Sequence, residues 1–326
     1  MSDPSAASLV STPRIEQPGE SGAPANAGLP ESAQKQQKPR GLLGDAWLDL
    51  RRKPLFWISA AFILVFVVMA AFPSLFTSGD AVNGALSRSL VKPSADAWFG
   101  YDVQGRDVFA RTIYGARASI VVALLSVIGT LLIGGAMGMI AGYRGGWVDA
   151  LLSRVADIFF GLPFVLGSIV ILTTFNGSGR DNSEWTIMGL VIMSLTVLSW
   201  PVVMRLMRSA VLATKEADYI VAARALGAGT GRIIFKHLLP NCLAPILVYG
   251  TIMVGSFIGL EATLSFLGIG LRSPVVSWGI MISEAQTLIR VAPYLLFFPA
   301  AFLVTAVLSF VTLGETVREA LDPKLR

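Results

Sequence analysis

Residues 118–142 read ASIVVALLSVIGTLLIGGAMGMIAG, a run without a single Asp, Glu, Lys or Arg. A helix needs about 20 predominantly apolar residues to cross the ~30 Å hydrocarbon core of a bilayer, and this run exceeds that length. It shows no strand alternation, and in lipid only helices and closed barrels satisfy every backbone polar group. It therefore reads as a membrane-crossing helix. Five similar runs lie around it: Leu55–Phe72, closed by Pro73, then Leu151–Phe175, Ile187–Val211, Ile246–Leu271 and Tyr294–Leu313. Arg154 and Asp157 push the hydrocarbon part of the third run to a start near Ile158. The fold class is an all-α membrane protein with six predicted transmembrane helices. Composition agrees, with 54% hydrophobic and 14% charged residues in a chain of 326, against roughly 25% charged in a soluble domain.

Residues 1–40 are rich in Ser, Pro, Ala, Gly and Gln and lack an apolar period, so they read as a disordered tail. No apolar stretch follows the start, so this is not the pattern of a cleaved signal peptide. Residues 41–54 suit a short cytoplasmic or interfacial helix ending in Arg51, Arg52 and Lys53, and residues 55–326 make up the membrane domain. With the N-terminus inside, most of the 26 Lys and Arg residues fall on the inner side. They include Lys35, Lys38 and Arg40 before the first run and Arg205, Arg208, Lys215, Arg224, Arg232 and Lys236 in the segment 205–240, from the end of the fourth run onward. The positive-inside rule then places both termini in the cytoplasm and a large loop, 74–117, outside. The same bias explains the net charge of +5 without nucleic acid. One cysteine, Cys242, and one histidine, His237, exclude an internal disulfide and argue against a metal site.

The polar interruption at 212–245, LATKEADYIVAARALGAGTGRIIFKHLLPNCLAP, falls on the inner side. Thr214 is a candidate helix cap, and Glu216 and Asp218 put negative charge in the first turn, where the helix dipole favours it. Tyr219, Ile220, Ala223 and Leu226 recur at helical spacing, Ala222 and Ala223 keep the surface narrow, and Gly227 is the expected stop. A second short helix, Arg232 to Leu239, leads to Pro240. A plain connecting loop needs only to be polar. A small amphipathic helix between charges also suits insertion into a groove on a partner protein. No phosphate-binding GxxxxGK[ST] occurs, and Gly227–Arg232 reads as a helix stop and turn.

Within the runs, Gly134, Gly138 and Gly142 stand four apart and form a small-residue seam, for packing inside the chain or against a sister subunit. Pro163 and Pro201 are expected to kink their helices. Glu261 is an ionisable group inside the fifth run, which marks either a pore or subunit-interface position or a hydrogen-bonded structural acid. Trp98, Tyr101 and Trp278 are placed near the outer interface. Asp102, Arg106 and Asp107 have the chemistry for local ion pairs, worth little if exposed.

Four segments carry a specific resemblance. Ala222-Ala223, Gly227 and Leu239-Pro240-Asn241 resemble the EAA loop of binding-protein-dependent ABC importer permeases, with Val221 at the motif's Glu and His237 at its Ile. DYIVAARALG and HLLPN are similar to the dipeptide/oligopeptide branch of that family. So are FGYDVQGRDVFARTIYGARASI at 99–120, EATLSFLGIGLRSPVVSWGIMI at 261–282 and GETVREALDPKLR at 314–326. The likeness runs collinearly over roughly residues 45–326.

It implies the type I importer permease fold in a bacterial inner membrane and a chain that is a transport subunit rather than an enzyme. ATP and Mg would sit on two separate ATP-binding subunits, and this chain would hold no cofactor. A second homologous permease would complete the pore, and a solute-binding protein would dock outside. The resemblance assigns Glu216, Asp218, Tyr219, Ala222, Ala223, Arg224, Gly227, His237 and Pro240 to the coupling loop 212–241. It assigns Asp102, Arg106, Asp107 and Trp278 to the docking face. An ion-coupled secondary transporter would need paired membrane carboxylates or related halves. A passive channel would not need the 212–241 loop.

Overall fold

The computed structural model describes residues 42–175 and 183–321. The tail 1–40, Arg180 and the chain end 322–326 lie outside the described residues. Helix α1 (Leu42–Leu50) turns at Arg51–Lys53 into α2 (Pro54–Ala71), where Pro54 occupies the first helical turn and so needs no hydrogen-bond partner for its nitrogen. A long capped loop follows. α3 (Val108–Arg144) has 37 residues, about 55 Å at 1.5 Å per residue. It starts ten residues before the apolar run because Asp107 caps it, accepting from Phe109 N at 2.8 Å and Ala110 N at 3.3 Å.

The third run is corrected by the structure. It is not one helix but α4 (Gly146–Gly161) and α5 (Phe164–Phe175), set 93° apart. Pro163 disfavours helical geometry at Leu162, whose φ of −85° and ψ of 123° are extended. Pro201, by contrast, lies inside an unbroken α6 (Glu184–Thr214). α7 (Asp218–Ala225) follows. The expected second short helix also differs. α8 (Thr230–Arg232) passes through a wider-wound turn, Ile233–Leu238, straight into α9 (Leu239–Phe266), so the chain re-enters the membrane without a break. α10 (Trp278–Ala285) and α11 (Tyr294–Leu321) complete the fold. Among the described residues five helices are long and apolar enough to cross a membrane, and the bent α4–α5 pair makes a sixth candidate.

Packing settles what the bent pair does. Gly129 faces Thr196, Gly134 faces Trp200 and Met204, Gly138 faces Met207 and Arg208, and Gly142 faces Val211. The numbers rise together, so α3 and α6 run parallel. Parallel neighbours need a return crossing between them. With Val211 level with Gly142, Glu184 stands about 40 Å of helix away from that level, more than the hydrocarbon thickness. The segment from α4 to the start of α6 therefore carries the chain back across. α9 runs antiparallel to α3, with Gly250 at Leu131 and Glu261 at Ser119, and α11 runs antiparallel to α9, with Gly255 at Val307 and Gly314 at Thr251. One end of the bundle consequently collects α1, the C-terminal ends of α3, α6 and α11, α7 and the start of α9. The other collects the 72–107 loop and α10.

Candidate functional site

At the first end, α7 is fastened on three sides. Its Ile220 is fully buried in the main core, with Ile233 and Leu238 of the following turn. Asn241 Nδ2 donates to Tyr219 Oη at 3.2 Å and to the His237 carbonyl at 2.6 Å, joining α7 to the start of α9. The Arg224 guanidinium lies 5.9 Å from the Tyr143 ring of α3, and Lys215 Nζ donates to the Gly142 carbonyl at 3.3 Å. A lysine at the carbonyl end of α3 also complements its dipole. α7 stops where expected. Gly227 has φ +80°, its N–H donates to the Arg224 carbonyl, and Ala228 N–H donates to the Ala223 carbonyl. This double bond pattern with a left-handed glycine satisfies the last carbonyls of the helix.

Three local expectations change. Thr214 does not cap α7, because its hydroxyl donates to the Ala210 carbonyl of its own helix. Glu216 lies in the turn before α7 rather than in its first turn, which Asp218 opens after an Ala217 that lacks a capping side chain. The apolar stripe is split. Ile220 points in and Ala223 is half-buried, but Tyr219 is 47% exposed and Leu226 88% exposed. Val221 and Phe235 are exposed beside them, as are Ala222, Arg224 and Pro240. An apolar crest therefore faces away from the chain on a helix held firmly to its own bundle.

At the other end, charges are used inside the chain. Arg106 Nε donates to Asp102 Oδ2 at 2.6 Å, and Arg111, buried, reaches Glu284 Oε2 of α10 at 2.9 Å and Asp102 at 3.7 Å. A cleft of about 240 Å³ opens beside them, lined also by Val108, Met281 and Leu295. Asp107 caps α3. Trp278 is corrected from an interfacial residue to a core one. It is fully buried between α2, α3 and α11, and its Nε1 donates to the Thr112 carbonyl at 2.9 Å.

Glu261 is fully buried within the chain, level with Ser119 near this same end. Its carboxylate accepts from Ser119 at 2.8 Å, Ser265 at 2.8 Å and Ser277 at 3.1 Å. Ser277 in turn caps α10, accepting from Ile280 N. Of the two readings left open by the sequence, the geometry is that of the hydrogen-bonded structural acid. Gly134, Gly138 and Gly142 likewise pack inside the chain. A Cβ on them would come within 3.0 Å of Met204 N, Arg208 N and the Arg208 carbonyl respectively.

Sequence reasoning missed Glu284, Ser119, Ser277 and Tyr143. Their partners lie up to 178 positions away, so no local spacing announces them. Asp149 and Arg208, paired at 2.7 Å between α4 and α6, are a further case. Among the described residues no cluster of His, Cys, Asp or Glu suits a metal ion.

Residues 134–326 match the family described as "Binding-protein-dependent transport system inner membrane component", and residues 41–88 match the N-terminal TM domain of oligopeptide transport permease C. The chain is 38% identical over 282 residues to the dipeptide transport system permease protein DppC of Alkalihalophilus pseudofirmus, covering 86% of this chain and 90% of that one. It is 38% identical to the oligopeptide transport system permease protein OppC of Bacillus subtilis, over 93% and 96% of the two chains. The glutathione transport system permease protein GsiD of Escherichia coli matches at 35% identity over 86% and 90%. Among solved structures, an inward-facing MetNI methionine ABC transporter superposes with a TM-score of 0.52 at 21% identity, over 65% of this chain and 96% of that chain, a likeness of fold. Five long apolar helices with the bent α4–α5 pair and these matches agree: the chain belongs to the binding-protein-dependent transport system inner membrane components, as a multi-pass permease subunit of an ABC importer.

Proposed function

We propose that this chain forms one half of a translocation pore for dipeptides, oligopeptides or related small solutes. A second homologous permease supplies the other half. Two ATP-binding subunits, which hold the ATP and Mg, act on the α7 end in the cytoplasm, and a solute-binding protein meets the α10 end outside. The names of the relatives support the solute class.

The observation that carries the coupling reading is α7 itself. Its Tyr219 and Leu226, seven residues apart on one face, stay 47% and 88% exposed among the described residues, yet Ile220, Asn241 and Arg224 tie the helix to α3 and α9. An apolar surface of this kind suits a groove on another protein. A push on it travels as rigid-body motion into the crossings, because packed helices shift between discrete arrangements rather than deform. ATP binding by the partners would then bias the pore between its outward- and inward-facing states.

The test uses the reconstituted complex. Gly227→Val forces a β-branched residue into φ +80°, which costs about 1–2 kcal/mol locally and tilts the exit of α7. Solute uptake is expected to fall at least about tenfold while the complex still inserts and hydrolyses ATP. Full uptake by this variant would remove the coupling role. Labelling of Leu226→Cys from the outside would overturn the orientation, and the native Cys242 is buried and gives little background.

A further inference from the structure

Three basic residues fill the turn between α1 and α2, and the chain uses only one of them. Lys53 Nζ meets Glu319 of α11 at 2.7 Å. Arg51 and Arg52 are exposed and have no acidic partner among the described residues. Their backbone is nevertheless fixed. Leu50, Phe56, Val317, Ala320 and Leu321 pack together beneath the turn, and the Arg51 carbonyl accepts from Trp57 Nε1 at 3.1 Å. Trp47 packs edge-on to both Phe56 and Trp57, with centroids 6.1 and 6.5 Å apart. Both tryptophans stay half open, at 51% and 52% exposed.

We propose that Arg51 and Arg52, framed by Trp47 and Trp57, hold the headgroup of an anionic phospholipid. Charge complementarity is the first reason, since two exposed guanidinium groups with no ion pair among the described residues suit a phosphodiester, an anion that guanidinium groups bind in forked geometry. The second is what lies next to them. Leu55, Ile58, Phe62 and Val65 continue along one face of α2 as an exposed apolar strip, the surface that acyl chains attached to that headgroup would follow. Indole rings at the boundary between the two are the side chains favoured at headgroup level.

The third reason is depth. Glu319, the partner of Lys53, lies little more than a turn past Gly314, which packs on Thr251, while Gly250 faces Leu131. The turn therefore stands beside the middle of the α3–α6 glycine seam. Just beyond that level the paired charges Asp149–Arg208 and Asp157–Arg205 begin. The arginines directly precede the apolar α2 and stand near the level where these paired charges begin. Arg106 and Arg111 at the opposite end offer nothing comparable, because each already has a carboxylate.

The test counts bound lipid on the full-length chain in detergent by native mass spectrometry, with phosphatidylglycerol, phosphatidylcholine and inorganic phosphate as probes. Phosphatidylglycerol is expected to remain bound at concentrations where phosphatidylcholine does not. Arg51→Gln with Arg52→Gln is expected to weaken it on the order of tenfold, while Arg51→Lys with Arg52→Lys, which keeps the charge and loses the fork, weakens it less than the glutamine pair does, and Lys92→Gln, in the other end's loop, leaves it unchanged. Equal retention of the two lipids by the wild type would overturn the proposal even if the glutamine variant failed to insert. So would wild-type binding by the glutamine variant, equal loss in Lys92→Gln, or displacement by inorganic phosphate alone.

Discussion

The glycines of α3 and those of the α7 hairpin do opposite work with the same missing side chain. On α3, Gly134, Gly138 and Gly142 are needed because another backbone is there, and an added Cβ would strike the α6 main chain or its Cβ atoms. At the hairpin, a Cβ on Gly227, Gly229 or Gly231 would meet nothing within 4 Å, and only Gly227 is held by its positive φ. The first set builds a rigid parallel pair that cannot separate without opening the core. The second leaves a surface with space around it, shaped by backbone conformation alone. The bundle is closed on the inside and open at α7, where Leu226 is 88% exposed.

The largest effect expected from breaking this contrast is at the seam. Gly138→Leu should lower the stability of the purified chain by about 3 kcal/mol or more, through overpacking against a main chain that has nowhere to go. Thermal unfolding of the detergent-solubilised protein measures it, and a wild-type midpoint would mean that α3 and α6 do not touch there. Glu261→Ala comes next. It leaves the Ser119, Ser265 and Ser277 hydroxyls without their acceptor, at about 2–3 kcal/mol for buried donors, and Glu261→Gln should recover part of that by keeping one carbonyl oxygen.

Arg111→Met keeps the buried stem but leaves Arg106 as the one cation that Asp102 and Glu284 share. Since Glu284 is half exposed, solvent screens much of the loss, and about 1–2 kcal/mol is expected. Proteolysis in the 72–107 loop should speed up in step. The smallest effect is at the hairpin. Gly231→Ala should change stability by no more than about 0.5 kcal/mol, since nothing lies nearby and its φ is ordinary. A loss as large as that of Gly138→Leu would show that the hairpin glycines also face a neighbour.

The crossings were legible because the bilayer imposes its requirement locally. A run such as Ala118–Gly142 must be apolar and must be helical wherever it ends up, so length and composition are enough. The stop at Gly227 was legible for the same reason, since a left-handed residue is a demand of the local backbone. The EAA-type spacing pointed to α7 as a short helix on the turn between two crossings, which is where the structure has it.

What the run of letters did not reveal depends on which distant groups meet. Leu151–Phe175 contains enough apolar residues for a straight crossing, and only the packing of α4 and α5 on α6 shows how the chain turns at Pro163 and returns. Trp278 has the composition of an interfacial residue and the surroundings of a core one, because α2, α3 and α11 close over it. Glu261 is harmless in its helix only because serines from α3 and from the α10 cap arrive beside it. Sequence determined which segments cross the membrane and where one helix stops, since those are properties of a segment and its solvent. Tertiary structure decided which charges are paired and which surface is left open, since pairing and burial belong to two segments at once and no single stretch contains both.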